Sequence, residues 1–333
     1  MKFFRKNKNE KKTELEKIEA RREEVLAAGR KLKYPLQYTK HRVVVNTILI
    51  SFAVLAFFAA FFWLSLYKLQ MTNEMMFRIT RIIPVSVSEV DGERVLFSDY
   101  LMFYRSSILS VERQTDKNDE NFDELREQYK VAALNKAEEY TYALKLGREL
   151  SINVSNEEIE QEFDRHRSVG GIDRSKEGFL KIVADNFGLD ESEYKRMLYL
   201  TLMKARVQEA VDSSANKIAE RVQKELANNG GDMAAVASGL GDAIRFEETG
   251  ELIDVKKVDG GRANEAIKLE EGKVSEKFVS INGDGYYFVK LLDKTESSVN
   301  FNSIFIPFAE FNKRFEAIEV GGGIKRFITL QEM

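Results

Sequence analysis

"SINGDGYYFVKLL", residues 280–292, begins in turn chemistry and ends in a strand. Asn282, Gly283, Asp284 and Gly285 favour a tight reversal, and the aromatic and aliphatic run after them suits a pleated, alternating surface. The next run, "SVNFNSIFIPFAEF" (298–311), also alternates and follows through the short turn "KTES". This predicts an antiparallel hairpin in which 301–307 pairs with 286–292. Upstream, "SANKIAERVQKELANNGGDMAAVASGLGD" reads as a helix stopped at Gly230-Gly231 and a second short helix. "NEAIKLEEGKVSEKFV" adds a short helix, a turn and a strand. Downstream, a helix over about 309–319 gives way at Gly321-Gly322-Gly323 to a last strand in "IKRFITL". Both glycine runs are helix stops or turns rather than phosphate cradles, because neither lies between a strand and a helix start.

The preceding stretch is mainly helical. "VSVSEVDGERVLF" (85–97) alternates about Asp91-Gly92 and predicts a β-hairpin. A helix follows over about 98–112, and "TDKNDEN" (115–121) is a polar break. Over 122–150, Leu125, Tyr129, Ala132, Ala133, Ala137, Tyr140, Leu144 and Gly147 recur at three- and four-residue spacing, the stripe of a helix against a core. Ser155 and Glu158 form a capping box, and Ile159 and Phe163 continue the apolar period. "SKEGFLKIVADNFG" predicts a helix closed at Gly188. Asp190 and Glu193 repeat the capping pattern before a helix to about residue 211.

Residues 43–67 hold no charge, proline or glycine. At 1.5 Å per residue they make about 37 Å of helix, enough to cross a hydrocarbon core of about 30 Å. Val43 opens this span, and Trp63 and Tyr67 fit an interfacial aromatic belt at its end. The apolar run is too long for a cleaved signal peptide and "LSLYKLQ" offers no small-residue cleavage site, so an uncleaved signal anchor is expected. Residues 1–42 carry 14 Lys/Arg against 6 Asp/Glu, whereas the rest of the chain carries 37 against 48. The basic flank predicts a single-pass protein of the cell membrane with a cytoplasmic N-terminus and an extracytoplasmic body. The acidic body argues against nucleic-acid binding. Within the tail, "EKKTELEKIEARREEVLAAGRKL" carries many i,i+4 charge pairs and reads as a solvated helix or a contact with anionic lipid, with a cytoplasmic partner as the alternative.

The chain has no cysteine and only two histidines, His41 and His166. Disulfides, thiolate nucleophiles and cysteine zinc sites are excluded, and two histidines in separate segments do not make a triad or a multi-histidine centre. No metal or other cofactor is expected. His166, on a polar helix end, reads as a solvated side chain.

"VSEVDGERVLFSDY", "LGRELSINVSNEEIEQEF" and "FGLDESEYKRMLYLTLMKARV", in that order, resemble the N-terminal chaperone domain of SurA-like and PrsA-like foldases over residues 85–211. This resemblance implies a cradle of helices that holds unfolded segments of exported proteins. Tyr100, Met102, Phe103, Tyr104, Met197, Tyr199 and Met203 would supply its apolar, adaptable surface. Ordinary core packing is the simpler reading of each. Residues 265–275 and 285–291 resemble the "E-A-x-F-x-L-x-x-G-E-V-S" and "G-Y-H-I-I-K-L" motifs of parvulin-type peptidyl-prolyl isomerases. That family surrounds a twisting amide with polar groups, including two histidines, and seats the proline ring among aromatics. Here Tyr287 stands at the strand histidine, the strand that carries the other histidine is missing, and no histidine or cysteine occurs from 212 to 333. Ala263 and Lys268 stand where the family has pocket phenylalanines. The resemblance therefore implies a parvulin scaffold without its catalyst, the missing strand replaced by residues 301–307.

The expected fold is α+β and mostly helical: a basic tail (1–42), a transmembrane anchor (43–67), a linker (68–84), a SurA-like helical domain (85–211) and a parvulin-like domain with an antiparallel sheet and a C-terminal strand extension (212–333). The expected function is that of a membrane-anchored extracytoplasmic folding factor whose partners are unfolded or newly exported polypeptides and the lipid bilayer. Two alternatives stand beside it: an active isomerase in which Asp232, Asp242, Tyr286 or Tyr287 polarises the amide, and a structural envelope scaffold.

Overall fold

A computed structural model describes residues 3–33, 35–114, 122–168, 172–257 and 259–330. The chain divides into two compact units, residues 1–69 and 70–333. It is mostly helical, with antiparallel sheets.

The first unit is two helices, α1 (Phe3–Lys33) and α2 (Pro35–Tyr67). Pro35 opens α2 at the first helical position, where a missing N–H costs nothing. Residues 42–67 form an uninterrupted apolar helix of mean hydropathy 2.4, long enough to cross a membrane. Val43 and Trp63 are exposed, Tyr67 is half-buried, and the Trp63 and Tyr67 rings lie 5.9 Å apart on one side of the helix.

The second unit begins with a departure from expectation. The supposed linker 68–84 contains a helix, α3 (Glu74–Ile82), whose first turn is capped by Asn73 Oδ1 accepting from Met76 N at 3.0 Å. Met76, Phe77 and Thr80 are buried, the Arg105 guanidinium sits 4.9 Å from the Phe77 ring centre, and Arg81 binds Glu193 at 2.5 Å. The Asn73 cap and the Met76–Phe77–Thr80 spacing are legible signals. What makes the helix stable is its tertiary seat, since nine residues alone are too few.

The hairpin forms as predicted: β1 (Ser86–Val90) pairs antiparallel with β2 (Glu93–Leu96). Asp91 and Gly92 take φ of 48° and 80°, the left-handed pair of the turn that matches strand twist. Then come α4 (Phe97–Gln114), α5 (Phe122–Glu149), α6 (Asn156–Arg167), α7 (Lys176–Phe187) and α8 (Glu191–Val211). The polar break at 115–121 lies outside the described residues. Both capping boxes are present, at Ser155/Glu158 and at Asp190/Glu193.

The stripe on α5 is turned from the expected one. Ala133, Ala137 and Gly147 are buried as expected, but Ala132 is exposed and Leu125, Tyr129, Tyr140 and Leu144 are half-buried, while Lys130, Leu134, Glu138 and Thr141 join the buried side. Polar residues lie on the core face because they find partners there, which an apolar count does not register.

The second sheet holds β3 (Arg245–Glu248), β4 (Ile253–Asp254), β5 (Phe278–Val279), β6 (Gly285–Lys294) and β7 (Ser298–Pro307) in the order β3-β7-β6-β5, with β4 also on β7. The predicted β6–β7 hairpin is present, with Tyr286 opposite Ile306 and Leu291 opposite Phe301. Helices α9 (Ser213–Asn228) and α10 (Met233–Leu240) cover one face, packing Ala219, Val222 and Met233 on Phe288, Ile304 and Ile306. The short α11 (Arg262–Ala266) covers the other, where Ala263 and Ala266 meet Val289, Leu291 and Phe301.

The expected unit 212–333 is not continuous in space. After β7 the chain returns to the helical body: α12 (Glu310–Val320) sets Phe311 and Phe315 against Tyr142 of α5, at 5.5 and 5.9 Å between ring centres. The last strand, β8 (Ile324–Arg326), pairs antiparallel with β1, making the order β2-β1-β8. The C-terminal strand therefore completes the first sheet and does not extend the second. Arg326 explains the preference, since it binds Glu138 of α5 through both carboxylate oxygens at 3.1 and 2.9 Å.

Candidate functional site

Alternation along β6 sends its side chains to opposite faces. Tyr286 and Phe288 join the core under α9 and α10, while Tyr287, Val289 and Leu291 face α11. Gly285 is required where β6 starts: a Cβ there would collide with the Ile306 carbonyl and the Phe305 ring. That close approach lets Tyr287 lie directly opposite Phe305, with ring centres 4.7 Å apart and planes tilted by 31°. Phe278 of β5 continues the row, 5.9 Å from Tyr287.

Above this aromatic row sits Arg262, its guanidinium 5.1 Å from the Tyr287 ring centre. It is held by Glu247 of β3, by Ser303 Oγ at 3.3 Å and by the Asp259 carbonyl at 2.8 Å. The Asp259 carboxylate accepts from Gly261 N and Ala263 N, anchoring the turn that carries α11. Arg245 lies 5.8 Å over Phe305. Three rings, two guanidiniums and the Glu247 carboxylate thus share one sheet face.

Burial raises the Tyr287 pKa, with Asp284, Glu247 and Asp259 adding to the rise and Arg262 opposing it. The phenol stays protonated at neutral pH and can donate a hydrogen bond. No histidine or cysteine accompanies it, since the second half of the chain has neither; the ionisable groups acting on it are Arg262 and the carboxylates Asp284, Glu247 and Asp259. Among the described residues no group of three or more His, Asp or Glu is placed to hold a metal ion. Tyr287 and Phe305 are only 9% and 7% exposed, so a bound segment would stack on the half-buried Phe278 edge of the row or displace the Arg262 side chain that covers it.

The other site positions expected between residues 212 and 333 separate. Ala263 is fully buried under the sheet, whereas Lys268 is paired with Glu265 at 2.6 Å on the surface. Tyr286 faces away from Tyr287: its hydroxyl donates to Glu209 of α8 at 3.2 Å, and burial together with Glu209 pushes its pKa up to about 12. Asp232 caps α10 through Ala235 N, and Asp242 lies in the 3-10 turn Gly241–Ala243. An open cleft of about 480 Å³ lies on the Phe288 side, between Leu226, Gly231 and Val274, and so does not open onto Tyr287.

The apolar surface of the helical body lies elsewhere than expected. Tyr100, Met102, Phe103, Tyr104 and Met203 are only 1–4% exposed, so they are core residues of this conformation. Met197 and Tyr199 are half-buried. The reason is tertiary: α4 lies between α3, α5 and α7, and both of its faces are covered. Large apolar side chains are instead exposed at Leu150, Ile172, Ile182 and Phe187. His166 is not a free solvated group either; it meets Tyr194 Oη at 2.6 Å and Glu162 Oε1 at 3.1 Å, tying α6 to α8. Arg262, Arg326 and Asp212 hold elements together through partners that their local sequence does not reveal. Comparison of the chain with family models finds no match. No curated protein sequence matches it significantly.

Proposed function

We propose that this chain is a membrane-anchored, extracytoplasmic folding factor of the SurA/PrsA type. It holds unfolded or newly exported polypeptides, and its parvulin-like sheet binds them without isomerising the prolyl bond. The observation that carries this reading is the Phe278–Tyr287–Phe305 row roofed by Arg262: an aromatic face, half-buried at its Phe278 edge, set where the family resemblance would put chemistry and without the histidines of that chemistry. The order of sequence motifs and the exposed apolar residues Ile182 and Phe187 on α7 support a client-binding role for the helical body.

Two assays on the full chain in detergent micelles test the proposal. In a proline-peptide assay the protein should leave the uncatalysed relaxation, tens to hundreds of seconds, unchanged. Acceleration that is lost in Tyr287→Phe would instead establish the active-isomerase reading, which the protonated Tyr287 hydroxyl favours. In an aggregation assay the protein should protect several unrelated unfolded clients, and Ile182→Asp with Phe187→Asp should weaken protection at least twofold. Failure with most clients would indicate a scaffold dedicated to one partner. The absence of cysteine makes topology easy to read: a single introduced cysteine beyond residue 70 should react with an impermeant maleimide on intact cells, and one within residues 14–30 should not.

A further inference from the structure

Helix α3 is apolar on two sides, and only one of them is covered. Its inner side, Met76, Phe77 and Thr80, is seated on the body, and its angle is set by Arg81 reaching Glu193 and Ser192 at the start of α8. On the opposite side, at 3- and 4-residue spacing, lie Met75, Ile79 and Ile82. Met75 is 56% exposed, Ile82 is 82% exposed, and Ile83 just beyond the helix is 48% exposed. Glu74, Arg78 and Arg81 occupy the remaining arc, and Ile79, between the exposed ends of the outer stripe, is half-buried. Among the described residues, nothing covers the two ends of this outer stripe.

The covalent chain limits what can cover it. Helix α2 ends at Tyr67 and α3 starts at Glu74, so at about 3.5 Å per residue the two ends are no more than about 24 Å apart. An apolar stripe tethered that closely to a bilayer-spanning helix lies within reach of the interfacial layer, where amphipathic helices bury their apolar side about 5–10 Å deep. The charges on the helix flank the stripe: Glu74 and Arg78 pair with each other at 2.5 Å, leaving the helix surface near neutral. Such a surface suits insertion between lipids without a need for anionic headgroups.

We propose that the Met75–Ile79–Ile82 face of α3 is an interfacial anchor that lies in the outer leaflet of the bilayer and holds the folded body at the membrane surface. This rests on the reading of residues 42–67 as a membrane span. Trp63 is the only tryptophan in the chain, which permits a direct test. The full-length protein carrying Trp63→Phe and Ile82→Trp is reconstituted into phosphatidylcholine vesicles, with and without lipid brominated near the headgroup end of the acyl chain. A blue-shifted emission quenched at least twofold by the brominated lipid is expected. Unquenched emission at the water-like maximum overturns the proposal, as does blue-shifted emission without quenching, which would mean that a second copy or another protein covers the face. Met75→Trp in the same background repeats the test should Ile82→Trp not fold. The unaltered protein separates the two readings: if Trp63 itself escapes quenching the span is wrong, whereas quenching of Trp63 without quenching of the tryptophan introduced on α3 sinks the anchor alone.

Discussion

Asp212 stands between α8 and α9 and is 3% exposed. One carboxylate oxygen accepts from Ala215 N at 2.9 Å, capping α9, and the other accepts from Ala309 N at 2.6 Å and Glu310 N at 3.0 Å, capping α12. Burial alone would raise its pKa, but these backbone donors outweigh it and hold the carboxyl below its usual range. Asp212→Ala removes both caps and strands buried N–H groups, so a loss of about 2–4 kcal/mol is expected in denaturant unfolding, with Asp212→Asn costing less. Glu162 gives a pH signature. Burial would push its pKa up, yet hydrogen bonds from His166 and Arg165 bring it down to about 2. A folded pKa below the unfolded value of about 4.3 means that its contribution is complete above about pH 5 and is lost as pH falls towards about 2. The melting temperature of the wild type should therefore fall away over that window, and Glu162→Gln should flatten the slope. The donors to Asp212 come from 97 and 98 residues away, which is why a local reading sees only an aspartate before a helix.

Among the elements, β8 shows how three residues can be held by one pair. Glu138 on α5 is fully buried, while Arg326 retains 25% side-chain exposure and also reaches Asn135 at 2.8 Å. Removing the arginine leaves a carboxylate in the core without its cation, whereas removing the carboxylate leaves an arginine that can still turn to water. Arg326→Ala should thus destabilise by about 3 kcal/mol in denaturant unfolding, clearly more than Glu138→Gln, and the double substitution should recover part of the loss. Amide exchange in β1 checks the same point: loss of β8 should raise exchange at Asp91, whose N–H donates to Gly323 O, and at Glu89, two residues back on the same edge. The α5 stripe keeps Ala133, Ala137 and Gly147 inside but is turned at its edge for a related reason: Lys130, Glu138 and Thr141 also sit inside, and apolar periodicity counts such residues as outward. By contrast β1–β2, both capping boxes and the β6–β7 hairpin are readable, because each is decided by residues close together in the chain.

For the molecule as a whole, the second sheet is an excursion from a helical body that the chain later rejoins. It leaves at Asp212 and comes back at Ala309, two points joined by a 2.6 Å hydrogen bond. Replacing residues 214–307 by about four Gly/Ser residues closes only a short loop and should leave α3–α8, α12 and the β2-β1-β8 sheet folded. The shortened chain should show a single cooperative melt by circular dichroism; a broad, non-cooperative one would show that the body needs the sheet. Local pattern alone settles the apolar helix over 42–67, the charge asymmetry, the helix caps, the Asp-Gly turn and the strand alternation that starts at residue 280, because all of these are set by interactions within a few residues of each other. It takes the folded chain to make the α4 aromatics core, to dock a helix within residues 68–84 and to close the first sheet with the last strand. Those outcomes depend on partners such as Glu138 and Arg326, 188 residues apart, whose attraction no local pattern encodes.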